Sequence, residues 1–272
     1  MSGPVVSFND VTLGYSSHPA IHHLSGRLAA GSMTALLGAN GSGKSTLLKG
    51  VAGLLKPLDG SIKLADGTRI AYLPQQSELD RSFPARVVDL VSLGLWTSRG
   101  LLGRHTAEDQ KRVADAIAAV GLTGFEKRPI NTLSGGQFQR ALFARVLLQD
   151  ANLILLDEPF NAVDMRTVDH LLVLISAWRD QGRTILTVLH DFDLARRHFP
   201  QTLLLARRCV AWGPTSDVLT TANLERARSF DEAWSDDAPW CESDTAKADD
   251  PAHEHSHGHG HSHDHQHNHA AE

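Results

Sequence analysis

Three short segments carry residue types suited to work on a phosphate anhydride. Gly38-Ala39-Asn40-Gly41-Ser42-Gly43-Lys44-Ser45-Thr46 fits the phosphate-cradling spacing G-x-x-x-x-G-K-[ST]. Its glycines let the backbone curl so that successive N–H groups face one anion. Lys44 would reach the β- and γ-phosphates of a nucleotide, and the Ser45 hydroxyl would ligate Mg²⁺. Further on, Asp157-Glu158-Pro159 closes an apolar run. Asp157 would help hold the metal shell, and Glu158 would act as general base or orient the attacking water. The alternative for that pair is two acids in a solvated turn. Between them lies Leu133-Ser134-Gly135-Gly136-Gln137. Ser134 can cap a helix, and Gly135 and Gly136 would expose its first amides as a second anion site. Alone it reads as an ordinary capped helix. Beside a phosphate loop, it suggests a dimer that holds ATP between the loop of one copy and this segment of the other.

Placing these groups needs particular elements. Thr34–Leu37 reads as a short buried strand feeding the loop, and Ser45–Leu55 as the helix that follows it. Leu153–Leu156 has the unbroken apolar character of a strand covered on both faces, as do Thr184–Leu189 and Thr202–Leu205, with a helix over Val168–Trp178. Strands alternating with helices imply a wound α/β core. At the N-terminal end, Val5–Phe8 and Val11–Leu13 look like a strand pair, followed by a strand ending at Gly31-Ser32. Ser61–Leu64 and Arg69–Leu73 around Asp66-Gly67 predict a hairpin. From Ala85 to Asp150 the pattern is helical, with a capped start at Thr106 and Asp109 and a stop at Gly121. The helix after Ser134 turns Phe138, Leu142 and Val146 to one side.

Taken together and in this order, the motifs resemble the nucleotide-binding subunit of ABC transporters, whose signature is LSGGQ. The likeness spans about residues 5–220. It implies a RecA-like P-loop core with an antiparallel β subdomain and an inserted α-helical subdomain over about residues 85–150. By position, Tyr15 matches the aromatic that stacks on adenine. Gln75, next to Gln76, matches the loop residue that senses Mg²⁺ and water. Ser134, Gly136 and Gln137 match phosphate contacts made across a homodimer. Asn161-Ala162-Val163-Asp164 matches the segment linking the two subunits, and His190 the switch histidine at the γ-phosphate. The resemblance further implies an integral membrane permease docked around Gln75 and the helical lobe, a solute-binding protein, and a peripheral place on the cytoplasmic face of the membrane. Pro129-Ile130, Phe138-Gln139-Arg140 and Pro159-Phe160-Asn161 resemble the zinc/manganese importer group, some of them shared with the ferric-siderophore group.

Composition sets bounds. The 272 residues have 42% hydrophobic content, and no apolar run approaches the ~20 residues of a membrane span. Met1–Ser7 lacks a basic segment followed by an apolar core, so no secretory signal is expected. Cys209 and Cys241 offer no disulfide framework or metal spacing. Residues 231–272 hold 11 of the 31 acids and one of the 26 Lys and Arg, which leaves the body at about +5, too little to argue for nucleic acid. An ATPase domain over 1–230 and a disordered acidic tail over 231–272 follow from that division. In the tail, His253, His255, His257, His259, His261, His263, His265, His267 and His269 recur at every second residue. At four ligands per ion they would hold about two zinc ions; a tag or a solvated tail are the other readings, and nickel and copper also favour imidazole. The resulting expectation is the ATPase of a zinc importer. A manganese or iron importer, an exporter, a non-transport ABC ATPase and a metal-storage protein are the competing classes.

Overall fold

The computed structural model describes residues 3–15, 18–75, 79–96, 106–161 and 163–233, all within one compact unit, Met1–Trp234. Gln76, Ala162 and the tail histidines lie outside the described residues. Strands β1 (Pro4–Tyr15), β2 (His18–Ala29) and β4 (Asp59–Leu64) form an antiparallel sheet in the order β2-β1-β4. Strands β3 (Met33–Leu37), β5 (Ile70–Leu73), β6 (Leu153–Leu156), β7 (Thr184–Val188), β8 (Gln201–Leu205) and β9 (Cys209–Pro214) form a second sheet in the order β5-β6-β7-β3-β8-β9. All its neighbours are parallel except β9, which runs against β8.

The apolar runs are covered on both faces, and their alternate residues enter different cores. Met33, Ala35, Leu37, Ile154, Leu156 and Ile185 belong to one core. Leu36, Leu153, Leu155, Leu186 and Val188 belong to the other. This second core also takes Leu47 and Leu48 of helix α1 (Lys44–Val51) together with Val6, Leu13 and Ile21 of the antiparallel sheet. The helix that follows the phosphate loop is thereby seated against apolar faces of both sheets. The first core joins the parallel sheet to α2 (Val87–Ser92), α3 (Ala107–Ala119), α4 (Gly135–Leu148) and α5 (Met165–Asp180). Helices α6 (Phe192–His198), α7 (Thr215–Val218) and α8 (Thr221–Ala233) complete the described chain. Among the described residues no helix is long and apolar enough to cross a membrane.

Three expectations are corrected. Val5–Phe8 and Val11–Leu13 are not a pair but parts of the single strand β1, kinked where Asp10 takes a left-handed φ of 49° and the register slips. The bulge inserts extra backbone and breaks the period of two that separate strands would share. The Asp66-Gly67 turn forms, closed by Thr68 N–H donating to Ala65 O, but it does not make a hairpin. β4 joins β1 and β5 joins β6, because Ala71 and Leu73 bury in the parallel sheet while Leu64 stays exposed. The helix after the loop stops at Val51 rather than Leu55, at Ala52 and the left-handed Gly53. Elsewhere the expected signals hold: Thr106 and Asp109 make a reciprocal capping box, and Gly121 ends that segment with φ 68°.

Phe143 of α4 and Trp178 of α5 stack with centroids 5.9 Å apart and 15° between planes, both fully buried. The Trp178 indole N–H has no hydrogen-bond partner among the described residues. Trp178→Ala should cost about 3–5 kcal/mol through the cavity it leaves. Trp178→Phe should cost much less, since it keeps a ring and removes the unpaired donor. Calorimetric Tm values rank the two, and equal falls would contradict this packing account.

Candidate active site

Four adjacent parallel strands end on the same edge of the sheet, and each delivers a site residue there. Leu73, Leu156 and Thr187 are in register across β5, β6 and β7, and Leu36 pairs with Val188. Two residues past Leu73, Leu156 and Val188 lie Gln75, Glu158 and His190, while β3 runs straight into the phosphate loop. Backbone pairing therefore sets the strand edge from which the loop departs.

The loop is pressed against its neighbours. A Cβ on Gly43 would lie 2.7 Å from Ala20 O and 2.5 Å from Ile21 Cγ1, and Gly43 has φ 94°. One on Gly38 would lie 2.1 Å from Leu205 O. Beneath it, Arg207 N–H donates to Ser42 O at 3.2 Å and His22 N–H to Arg207 O at 2.7 Å. Gly43 starts α1 without a side-chain cap, and the first turn carries no acid. Its leading amides and dipole suit an anion. Lys44, 5% exposed, donates from Nζ to Gly38 O at 3.0 Å and Ala39 O at 2.7 Å.

Ser45 Oγ donates to Asp157 Oδ1 at 3.2 Å, and Asp157 is fully buried. Glu158 takes the left-handed φ of 48°, rare for a residue with a side chain. Its carboxylate accepts from Gln75 Nε2 at 2.7 Å and from Asn161 Nδ2 at 3.4 Å on Oε2, while His190 Nε2 stands 2.6 Å from Oε1. These groups, with Ala20, Asn40, Gly41, Gly43, Lys44, Ser45 and Thr46, line a cavity of about 710 Å³. That volume is within the range of small-ligand sites. The hard oxygen donors of Ser45, Asp157 and Gln75 fit Mg²⁺, and the glycine cradle together with the buried Ser42 Oγ, which has no hydrogen-bond partner among the described residues, fits a phosphate chain.

Not every expected residue joins this cavity. Ser134, Gly135, Gly136 and Gln137 do not line it. They start α4 with a second capping box, in which Gln137 N–H donates to Ser134 Oγ at 3.2 Å and Ser134 N–H to Gln137 Oε1 at 3.1 Å. Asp164 caps α5, accepting from Thr167 N–H at 3.1 Å and Thr167 Oγ1 at 2.8 Å, bonds that hold its carboxyl below the usual range. It lies beside the signature, with Oδ2 3.8 Å from where a Gly136 Cβ would be. Tyr15 is 53% exposed at the end of β1 and does not line the cavity, although Ala20 of the paired strand does. The sequence places Asn161 in the linking segment and in the Pro159-Phe160-Asn161 likeness, and gives it no part at the carboxylate. Its bond to Glu158 follows from a tight turn, Asn161 N–H to Glu158 O at 3.2 Å, which the three-residue spacing could have suggested.

Comparison with known proteins follows the same lines. The sequence profile of the family described as "ABC transporter" matches residues 21–161. The manganese transport system ATP-binding protein MntB of Listeria monocytogenes is 40% identical over 223 residues, 80% of this chain and 93% of that protein. The zinc transport system ATP-binding protein TroB of Treponema pallidum is 37% identical over 228 residues, 82% of this chain and 86% of that protein. Among solved structures, a dimeric post-hydrolysis state of the ATP-binding cassette MJ0796 with ADP and Pi superposes with a TM-score of 0.69 at 26% identity, covering 77% of this chain and 98% of that one. With the phosphate loop, the carboxylate-ended strand and the LSGGQ helix all in place, this chain belongs to the ABC transporter family as an ATP-hydrolysing nucleotide-binding subunit.

Proposed function

We propose that this chain energises import of a divalent transition metal, zinc in the first instance, as one of two ATPase copies docked on a membrane permease on the cytoplasmic side. The observation that carries the ATPase roles is the Glu158 carboxylate, held by Gln75, His190 and Asn161 at the mouth of the Lys44 loop. Lys44 and the leading amides of α1 would neutralise the triphosphate, and Tyr15 would stack on adenine. Ser45, Asp157 and Gln75 would hold Mg²⁺, which when bound draws charge from the phosphate oxygens. Glu158 would take the proton of the attacking water, and His190 would keep that carboxylate turned toward it. Ser134, Gly135, Gly136, Gln137 and Asp164 would serve the triphosphate of the other copy. Exposed Phe83, Leu93 and Trp96 make the helical lobe apolar enough to receive a permease segment.

Relatives named for manganese and zinc support a metal cargo. The tail tips the choice toward zinc, because manganese prefers oxygen donors while nine regularly spaced imidazoles suit zinc. Manganese is the second reading, favoured by the name of the 40% identical relative. A solute-binding protein would hand the ion to the permease, and the tail beyond the ATPase domain of 1–230 would act as a local zinc store.

Glu158→Gln should lower ATP turnover by a factor of about 10²–10⁴ while ATP affinity changes less than threefold; retained turnover would remove the role given to Glu158. In cells lacking the chain, uptake of zinc should fall and be restored by the gene, with manganese and iron measured beside it. A selective manganese defect would transfer the assignment to manganese. Calorimetry of the full chain should count about two more zinc ions than a chain ending at Trp234; equal stoichiometry would end the tail's part.

A further inference from the structure

The start of α4 is held by more than its capping box. Leu133 and Phe138 flank the cap at the positions of a hydrophobic staple, and both are buried in the same core. A third group closes this arrangement from outside the helix. Arg81, half-buried on the stretch that leads from Gln75 toward α2, donates from its guanidinium to the Leu133 carbonyl. The same guanidinium lies over the Phe138 ring, 4.7 Å from its centroid. One planar cation thus spans both ends of the staple. Its own approach is set by a bend: Asp80 Oδ1 accepts from Ser82 N–H at 2.8 Å and Ser82 Oγ at 2.6 Å on either side of it.

A cation next to a helix N-terminus runs against the usual charge preference there. The first turn of α4 contains no acid of its own, and the nearby Asp164 carboxylate beside Gly136 is already engaged by Thr167. Arg81 therefore raises the positive potential of the turn that carries Ser134, Gly135 and Gly136. Resting on the reading that this turn meets the triphosphate of a second copy, the geometry points to Arg81 as a positioning residue for that contact. It fixes the pitch of Ser134–Gln137 through the Leu133 carbonyl and Phe138, and it adds charge attraction for the incoming phosphates. A stacked, bidentate-capable arginine is not replaced by lysine, which keeps the charge and loses the planar fit.

The test uses the full chain with Glu158→Gln, in ATP and Mg²⁺, and follows association by sedimentation equilibrium. Arg81→Met should raise the concentration for half-dimerisation about tenfold, and Arg81→Lys by less, about threefold. Binding of a fluorescent ATP analogue to dilute single copies should stay within about twofold, because the Lys44 loop does not involve Arg81. A purely structural loss would weaken both readouts together, and that result overturns the role. Unchanged dimerisation in both variants overturns it as well. Should Arg81→Met fail to fold, Arg81→Lys decides alone by the same split. Gly136→Asp serves as the control: if it abolishes association while the Arg81 variants do not, Arg81 alone loses its role. If Gly136→Asp leaves association intact, the two-copy reading of the signature falls and takes the Arg81 role with it.

Discussion

A nearly buried ammonium governs this site. Lys44 is 5% exposed, and so little water reaches it that its charge must be met by oxygens held in fixed positions. The carbonyls of Gly38 and Ala39 meet it, which requires the loop to double back over the first turn of α1. That path is open only to a chain that can take left-handed backbone at Gly43 and lie flat on Ala20 and Ile21. The loop's shape in turn depends on α1 staying put, and α1 stays because Leu47 and Leu48 fill the core between the two sheets. The same carbonyl-bound ammonium stands 2.7–3.0 Å from soft partners that phosphate oxygens can replace with a charge-assisted bond.

The Glu158 carboxylate is held in a comparable way. Glu158 is placed by the end of β6 and bent outward by its left-handed backbone, a conformation that costs of order 1–3 kcal/mol. Three donors from three different segments converge on its oxygens: Gln75 after β5, His190 after β7 and Asn161 from its own turn. A displacement of any one strand end would be felt at the same two oxygen atoms. Parallel pairing keeps those strand ends in register, and the Gln75 and His190 side chains then reach Glu158 from fixed backbone positions.

Much of this was legible in the sequence, for reasons that differ from element to element. The buried strands β3, β6, β7 and β8 announce themselves by short, largely apolar runs, and Ser134 and Thr106 by capping chemistry three residues ahead of their partners. Glu158 was legible from the carboxylates that close an apolar strand, whereas Gln75 and His190 were legible only through the order of motifs. The Asp66-Gly67 turn misled because local turn chemistry says nothing about which sheet receives the next strand; burial of Ala71 and Leu73 decides that. The kink at Asp10 was hidden for a similar reason, since a bulge is a property of two paired strands. Arg81 carries no periodic or compositional mark, and its partner Leu133 lies in a segment that only the fold brings near; Asn161 reaches Glu158 within a single turn, a contact its three-residue spacing allows but does not announce.

The separation between the two anion-binding turns has a consequence for assembly. In one copy, the Lys44 loop opens into a cavity that Ser134–Gln137 do not line. The signature turn nevertheless has the character of a phosphate contact: a capped helix start, two glycines, no acid in its first turn and an arginine alongside. Asp164, which caps α5, brings its carboxylate beside Gly136. A helix start with free leading amides and an arginine alongside still favours a further anion. On the proposed two-copy reading, a second copy would present its loop-bound triphosphate to this turn and so serve both surfaces at once. Nucleotide would then act as the adhesive, and its cleavage would remove the charge that each copy offers the other.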